Sequence, residues 1–590
     1  MNEESTFLRH QSGHPGSSKN RAGLIIIFLL FCSIFSAQAI LSLIQKSQTM
    51  DEAMHLTKGY VQWKYRDFRM EPQNPPLVSM LSALPLLFMN VSFPKELVLA
   101  QEKPDDYEIA DQFFYYRGND ADTLLFWGRL PVVFLGMLLG WYVFQWSYEL
   151  HGLKGAILAL TLYAFSPNIL AHAGLITTDI GVTCFIFISI YYFYHYLKQP
   201  ATSNLIKTGA TLGLALASKF TSLFLLPLFV LAAIADYWQK KSFVRGKIGA
   251  FGRDLAMIVL IGGVTLWLFY FFKIETVSTL YNLDNNHSTV VRLANRIHMD
   301  PIKIEKAFKY IPSPGTYLKG LGNVISDGFR PQPLFFMGER SEHGWKTYHI
   351  VAFLIKTPIP TLTLFMLTLL LFHRYPVHAR FLLLPVLFFF ALSIAGRFAD
   401  KGLRHILPVY PFLFVLISGI LNISIHKTSQ RIINFTVLPL LIWYIFASLR
   451  TFPDYIPYYN EFIGGPKNGY KYLIDSNTDW GQDLKKLKVY MDSNHIDKVK
   501  LAYFGSANPD YYHINYEYLW SHNRIKKPDD YRRTILPGKG IYAVSATSLQ
   551  TIGYWTGEGY VDNPEYSFQW LNQYQPVAIV GNSILIYNIE

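Results

Sequence analysis

Cysteine is almost absent. The chain of 590 residues has two, Cys32 and Cys184, and both fall inside apolar runs, so no disulfide framework holds it together. Charge is scarce as well. Asp, Glu, Lys and Arg make up 16% of the residues, against about 25% in an ordinary soluble domain. No Gly-rich phosphate loop of the Walker type is present, so nothing supports ATP hydrolysis. No G-x-S-x-G elbow marks an esterase, and no His/Cys spacing marks a metal centre. What is abundant is apolar and aromatic sequence, with 51% hydrophobic residues including 39 Tyr, 44 Phe and 12 Trp. That is too much packing material for a disordered chain.

The apolar residues are collected in runs that end near residue 450. A membrane-spanning helix needs roughly 20 of them. About eleven such runs are read: Leu24–Ile44, Leu124–Trp146, Gly155–Ala171, Ile180–Leu197, Leu205–Ala217, Phe220–Trp238, Leu255–Phe272, Ile350–Phe372, Phe381–Ala395, Ile406–Leu421 and Ile433–Leu449. Lys and Arg in short loops set the orientation. With the N-terminus in the cytoplasm, fifteen basic residues fall in cytoplasmic segments. Only Lys219, Arg397, Lys401 and Arg404 fall in short outer loops. The same bias accounts for much of the net charge of +12 without a nucleic-acid partner. The first run reads as a retained span, because Gln45-Lys46-Ser47-Gln48-Thr49 does not offer a small-x-small cleavage site.

The expected fold is therefore mainly α. A cytoplasmic tail (1–22) precedes a polytopic helical bundle (23–449) with large outer loops at about 45–123 and 273–349. A soluble, extracytoplasmic α/β domain (450–590) follows. In that tail Leu484, Leu487 and Met491 recur at helical spacing within 483–492. Val499–Phe504 and Ile541–Val544 read as strands, and Val577–Val580 and Ser583–Tyr587 flank the hairpin signal Gly581-Asn582.

Ionisable residues gather at the outer ends of these runs. Asp51 and Glu52 follow the first span, with His55 one turn on. They read either as a solvated helix boundary or as a general base oriented by a neighbouring acid. Pro75-Pro76 introduces an apolar segment to Met89, too short to span and suited to lying at the interface. Arg129, inside a span, either snorkels to headgroups or binds an anion. Asp179 is either a helix N-cap or an active-site acid. Lys219 sits in a tight outer turn, where snorkelling competes with phosphate contact. Arg397, Lys401, Arg404 and His405 form an outer basic cluster, suited to a lipid-linked phosphate or to anionic headgroups in general.

Taken together, several pieces resemble one family. They are Asp51-Glu52, the stretch Phe68 to Leu77 ending in Asn74-Pro75-Pro76-Leu77, Gly128-Arg129-Leu130-Pro131, and Thr178-Asp179. Downstream come Phe336-Met337-Gly338-Glu339-Arg340, Lys356-Thr357-Pro358, the run Arg404 to Pro411, and Asp475-Ser476-Asn477-Thr478-Asp479-Trp480-Gly481-Gln482-Asp483-Leu484. Their order resembles the membrane glycosyltransferases of the protein O-mannosyltransferase and aminoarabinose-transferase type, which use the GT-C fold.

The resemblance implies a sugar donor on a polyprenyl phosphate, and a protein, lipid or glycan acceptor. It implies a multi-pass protein among the lipids of the cell (inner) membrane, with its active face periplasmic. Asp51 would be the base, with Asp179 a second acid. Arg129, Lys219, Arg404 and His405 would hold the donor phosphate. His55, Glu71, Asn74, Glu339, Arg340 and Arg397 are the further residues expected around the pocket. Relatives often carry an acid where this chain has Gln73-Asn74 ahead of Pro75-Pro76-Leu77. Its loss argues against an obligatory divalent metal ion, although Glu71 lies close by. A transporter of lipid-linked saccharides and an inactive carrier-binding relative are the competing readings. Charges at helix mouths rather than at mid-bilayer count against the transporter.

Overall fold

A computed structural model describes residues 18–99, 105–239, 245–274, 314–328, 332, 334–396, 401–423, 427–521, 537–551 and 567–590, together with 300, 303 and 535. Residues 1–17 of the expected cytoplasmic tail, most of the stretch 273–349 expected as the second outer loop, and Arg397 lie outside these residues.

The bundle is built from α1 (Ser18–Leu43), α2 (Glu52–Tyr65), α3 (Leu77–Ala83), α4 (Ala121–Ala164), α5 (Pro167–Ala173), α6 (Thr178–Lys198), α7 (Thr202–Leu216), α8 (Leu225–Gln239) and α9 (Arg245–Leu268). It continues with α10 (Gly315–Asp327), α11 (Tyr348–Lys356), α12 (Ile359–Leu370), α13 (Leu383–Ala395), α14 (Val409–Ser418) and α15 (Lys427–Thr451). Six helices among the described residues are long and apolar enough to cross a membrane. The bent pair α11–α12 makes a seventh if it counts as one span. Among the described residues the remaining expected runs form shorter apolar helices, such as Leu383–Ala395 and Val409–Asn422.

Two of the differences have local causes. The runs 124–146 and 155–171 are joined through α4, which breaks at Gly152, where φ is 66° and ψ −169°. Only glycine takes that conformation without strain. The α11–α12 pair bends by 112° at Thr357-Pro358, because proline cannot continue the preceding helix. Asn460 Nδ2 donates to the freed carbonyls of Leu354 (2.7 Å) and Thr357 (2.8 Å), and Asn168 Nδ2 to that of Lys356 (2.7 Å). These carbonyls are thus hydrogen-bonded at the bend.

Helix α6 is buried on nearly all sides. Its aromatic residues pack inside the bundle: Phe187 meets Phe412 at 4.9 Å, and Phe193 stacks on Phe229 at 4.3 Å. The interfacial reading of 77–89 gives α3 and a short 3-10 turn (Pro85–Phe88), which leaves Phe88 86% exposed.

The C-terminal region adds a two-stranded hairpin partner upstream and a five-stranded sheet of its own. Strands β1 (Leu334–Phe336) and β2 (Glu339–Ser341) pair antiparallel. The sheet has the order β4-β3-β5-β7-β6, from β3 (Val499–Ala502), β4 (Tyr516–Tyr518), β5 (Gly540–Ser545), β6 (Ala578–Val580) and β7 (Ile584–Ile589). β3 runs parallel to β4 and β5, and β7 antiparallel to β5 and β6. Gly581 and Asn582 both have φ 60°, the turn that a two-residue hairpin signal implies. Helix α16 (Leu484–Ser493) buries Leu484, Leu487 and Met491 against Val499, Leu501 and Ile586. The sheet domain therefore has its own core beside the bundle.

Candidate active site

The ends of α1, α6, α7 and the turn before α14 meet at one side of the bundle, and the charged residues meet there with them. Asp51 sits at the N-cap of α2, its side chain 25% exposed. Arg404 Nη1 lies 3.8 Å from Asp51 Oδ2 and 3.7 Å from Asp179 Oδ2, between the two acids. Lys219 Nζ donates to Asp179 Oδ1 at 2.7 Å. Asp179 is not an N-cap. Thr177 holds the cap position, and the Asp179 carboxylate faces two cations instead of backbone N–H groups. Burial raises the Asp51 carboxyl above the ordinary carboxylate range, and Arg404 partly offsets this.

The expected roles of Glu52 and Arg129 need correction. Glu52 does not orient Asp51. It is fully buried and takes Arg129 in a fork, with Nε donating to Oε1 (2.8 Å) and Nη2 to Oε2 (2.6 Å). It also accepts from the Thr49 and Ile176 N–H groups. The other Arg129 donors go to the carbonyls of Leu43, Lys46 and Ser47. No Arg129 N–H remains for a phosphate, and a buried guanidinium this well satisfied does not snorkel. The pair is a rivet between the end of α1, the start of α2 and α4. His405 follows Arg404 in the same turn. Burial, with Lys219 and Arg404 nearby, holds its imidazole well below the usual histidine range. It remains a hydrogen-bonding group beside the cations.

The remaining pocket candidates divide. Glu71 and Asn74 are joined, Asn74 Nδ2 donating to Glu71 Oε1 at 2.5 Å. Glu71 Oε2 lies 3.7 Å from His55 Nδ1 and 3.8 Å from Lys58 Nζ. Burial lowers His55 to about 4, so it is neutral, and raises the Glu71 carboxyl. This cluster adjoins Asp51 along α2. Glu339 and Arg340 belong elsewhere. Glu339 is exposed at the β1–β2 hairpin, and Arg340 Nε donates to the Gln550 carbonyl of the sheet domain (2.5 Å). Among the described residues, no group of three or more His, Cys, Asp or Glu is placed to hold a metal ion.

Two side chains at this site carry no role in the sequence reading. Trp480 is buried, with its ring 4.3 Å from the Arg404 guanidinium carbon. His172, on α5, faces the Trp480 ring at 6.3 Å. The signal for Trp480 lay in the 475–484 motif, whereas His172 is a lone polar residue in an apolar run. Five buried polar atoms around these residues have no hydrogen-bond partner: Thr177 Oγ1, Asp179 Oδ2, Arg404 Nε, His405 Nε2 and His172 Nδ1. Buried polar groups are nearly always paired, so these atoms mark a place for a polar ligand or ordered water. A cavity of about 260 Å³, lined by Leu43, Asp122, Trp127 and Lys485 among others, opens elsewhere and shares only Arg129 with the predicted site. The unpaired atoms are the better guide to where chemistry happens, since that cavity's Lys485 and Asp122 already pair at 2.8 Å.

Fold and site together define a helical, membrane-type protein with acids and cations converging at one set of helix ends. Residues 122–267 match the family model of the dolichyl-phosphate-mannose-protein mannosyltransferases, which bears out the resemblance over that segment. No curated protein matches the chain. Similar solved structures include ArnT from Cupriavidus metallidurans bound to undecaprenyl phosphate (12% identity, TM-score 0.43, covering 72% of this chain and 70% of that one). The S. cerevisiae Pmt1-Pmt2 protein O-mannosyltransferase complex bound to its sugar donor is another (12%, 0.44, 73% and 90%).

Proposed function

We propose that the protein is an integral-membrane glycosyltransferase. It moves a sugar from a polyprenyl-phosphate donor to an acceptor hydroxyl at the outer, periplasmic face of the cell membrane. The observation that carries this reading is Arg404, which stands within 4 Å of both Asp51 and Asp179 with Lys219 alongside. The matched family is named for the same chemistry, with dolichyl phosphate as the carrier.

In this reading Asp51 takes the proton of the acceptor O–H as its oxygen bonds to the anomeric carbon. The bond from that carbon to the phosphate oxygen breaks, the electron pair leaves with polyprenyl phosphate, and the configuration inverts. Arg404 and Lys219 stabilise the charge that develops on the phosphate. Fixed cations need no reorganisation as the charge grows, so they act most strongly in the transition state. The raised carboxyl of Asp51 suits a base working near neutral pH better than an ordinary aspartate would. Asp179 holds the cations in register before the donor arrives.

The direct test incubates purified protein with a panel of radiolabelled polyprenyl-phosphate sugars and membrane extract. Label appearing in a protein, lipid or glycan fraction identifies both donor and acceptor, and no label with any donor overturns the reading. Arg404→Ala is expected to raise the donor KM by about 10- to 100-fold and to leave the acceptor KM nearly unchanged, as loss of a charge-assisted phosphate contact does. Steady-state kinetics with each substrate varied in turn checks this.

A pH profile supplies a further expectation. Asp51 must be ionised to act, so activity falls as pH drops through its folded-state pKa. Because burial raises that pKa, the acid limb of kcat/KM begins above the ordinary carboxylate range. Arg404 lowers the pKa, so Arg404→Ala moves the limb further up. A limb that stays in place would remove Asp51 as the titrating group.

A further inference from the structure

The segment from Ser476 to Leu484 belongs to the sheet-bearing C-terminal region, yet it lies against both halves of the candidate site. Toward the Arg404 turn, Ser476 Oγ donates to the Lys401 carbonyl, and Asn477 Oδ1 accepts from Leu403 N at 3.0 Å. Asn477 Nδ2 in turn donates to Tyr348 OH at 2.8 Å. The Trp480 ring then lies under the Arg404 guanidinium at 4.3 Å. Toward the Asp51 loop, Met50 N donates to the Trp480 carbonyl (2.9 Å) and Ser47 N to that of Gln482 (3.0 Å). Ser47 Oγ donates to the Gly481 carbonyl (3.0 Å) and accepts from Leu484 N (3.1 Å).

The segment is also braced from within. Gln482 Oε1 accepts from Trp480 N at 2.7 Å, and its Nε2 donates to the Thr478 carbonyl (3.1 Å) and to Asp483 Oδ2 (2.9 Å). Gly481 has φ 90°, and a Cβ there would stand 2.7 Å from Tyr503 OH and 2.8 Å from the Phe504 carbonyl oxygen. Buried Lys356 Nζ donates to the carbonyls of Ile456 (2.9 Å), Tyr458 (3.1 Å) and Asn477. A surface domain that merely rested on the bundle would not need this many buried polar contacts, each of which costs stability when left unmade.

We infer that Ser476–Leu484 is a positioning element of the donor site: it fixes the distance between the Asp51 loop and the Arg404 turn, and Trp480 is the residue through which it holds Arg404 between the two acids. The C-terminal domain is thereby part of the catalytic unit. The inference rests on the donor reading given above. The choice of an aromatic face is physical. Arg404 Nε has no hydrogen-bond partner and its nearest carboxylates stand at 3.7 Å and 3.8 Å. A π face therefore orients the guanidinium plane while leaving its N–H groups directed to an incoming phosphate.

The test uses the full-length protein in detergent micelles with W480F, W480L, W480A and S476A, alone and combined with R404A. Donor KM, kcat and thermal stability are read for each. W480A and W480L are expected to raise the donor KM about 10-fold, while W480F stays within about 3-fold, because phenylalanine retains an aromatic face. W480A in the R404A background is expected to add no more than a further twofold or so, since residues acting through one contact are not additive. S476A, which removes only one hydroxyl, is expected to raise the donor KM about 3-fold with a small drop in melting temperature. If W480A does not accumulate, the Phe and Leu pair decides. Equal donor KM for W480F and W480L, or full additivity of W480A with R404A, overturns the inference and leaves the donor reading standing. An unchanged donor KM for R404A itself overturns both.

Discussion

Asp51→Asn is expected to lower the rate of sugar transfer by about 10³-fold or more, within the range of removing a general base. The protein should still fold, and donor binding should be nearly unchanged. The amide has the same shape as the carboxylate but cannot take a proton. Asp51 makes no structural hydrogen bond at the α2 N-cap and its nearest cation is 3.8 Å away, so its side chain is not what holds the loop. Glu52 and Trp480 hold it instead. Asp51→Glu is the informative companion. It keeps the base but displaces it by about 1 Å, a misplacement that alone costs on the order of 10²-fold. Single-turnover transfer together with direct binding of polyprenyl phosphate separates the two effects. Full transfer by Asp51→Asn would remove the base from the mechanism.

Arg129→Ala is expected to act on stability and not on chemistry. It leaves Glu52 charged, fully buried and without its guanidinium partner, and frees the carbonyls of Leu43, Lys46 and Ser47. Breaking a buried ion pair from one side costs about 3–5 kcal/mol. The double variant Glu52→Met/Arg129→Met should recover only part of that loss, because the buried N–H groups of Thr49 and Ile176 would still lack their acceptor. Thermal unfolding followed by size-exclusion chromatography in detergent checks both. If Arg129→Ala retained wild-type stability and lost donor affinity instead, Arg129 would be a phosphate ligand after all.

The contrast between these two substitutions shows what a sequence can and cannot reveal. Asp51 and Glu52 are neighbours in the chain and chemically alike, so nothing local distinguishes base from rivet. The difference arises because successive residues at a helix start point in different directions: Glu52 toward Arg129 on α4, Asp51 toward Arg404, which lies more than 350 residues away in the sequence. Arg129 and Arg404 are likewise two arginines beside apolar sequence. One has every N–H taken and the other has a buried Nε without a partner. His405 drew attention by sitting in a basic cluster, yet burial and that same cluster lower its pKa.

By itself the sequence determined the features that depend on local pattern and composition. These are the mainly helical architecture, the apolar runs, the helix and hairpin of the C-terminal sheet domain, and the residue types gathered near helix ends. Periodicity and hydropathy encode them because each is decided within a window of about 10–20 residues. Only the tertiary structure decided which acids and cations meet, where a proline bend and a glycine break interrupt the helices, and that the segment bearing Trp480 joins Asp51's loop to Arg404's turn. Those outcomes turn on contacts between residues hundreds of positions apart, where burial and pairing, and not residue identity, set what each side chain can do.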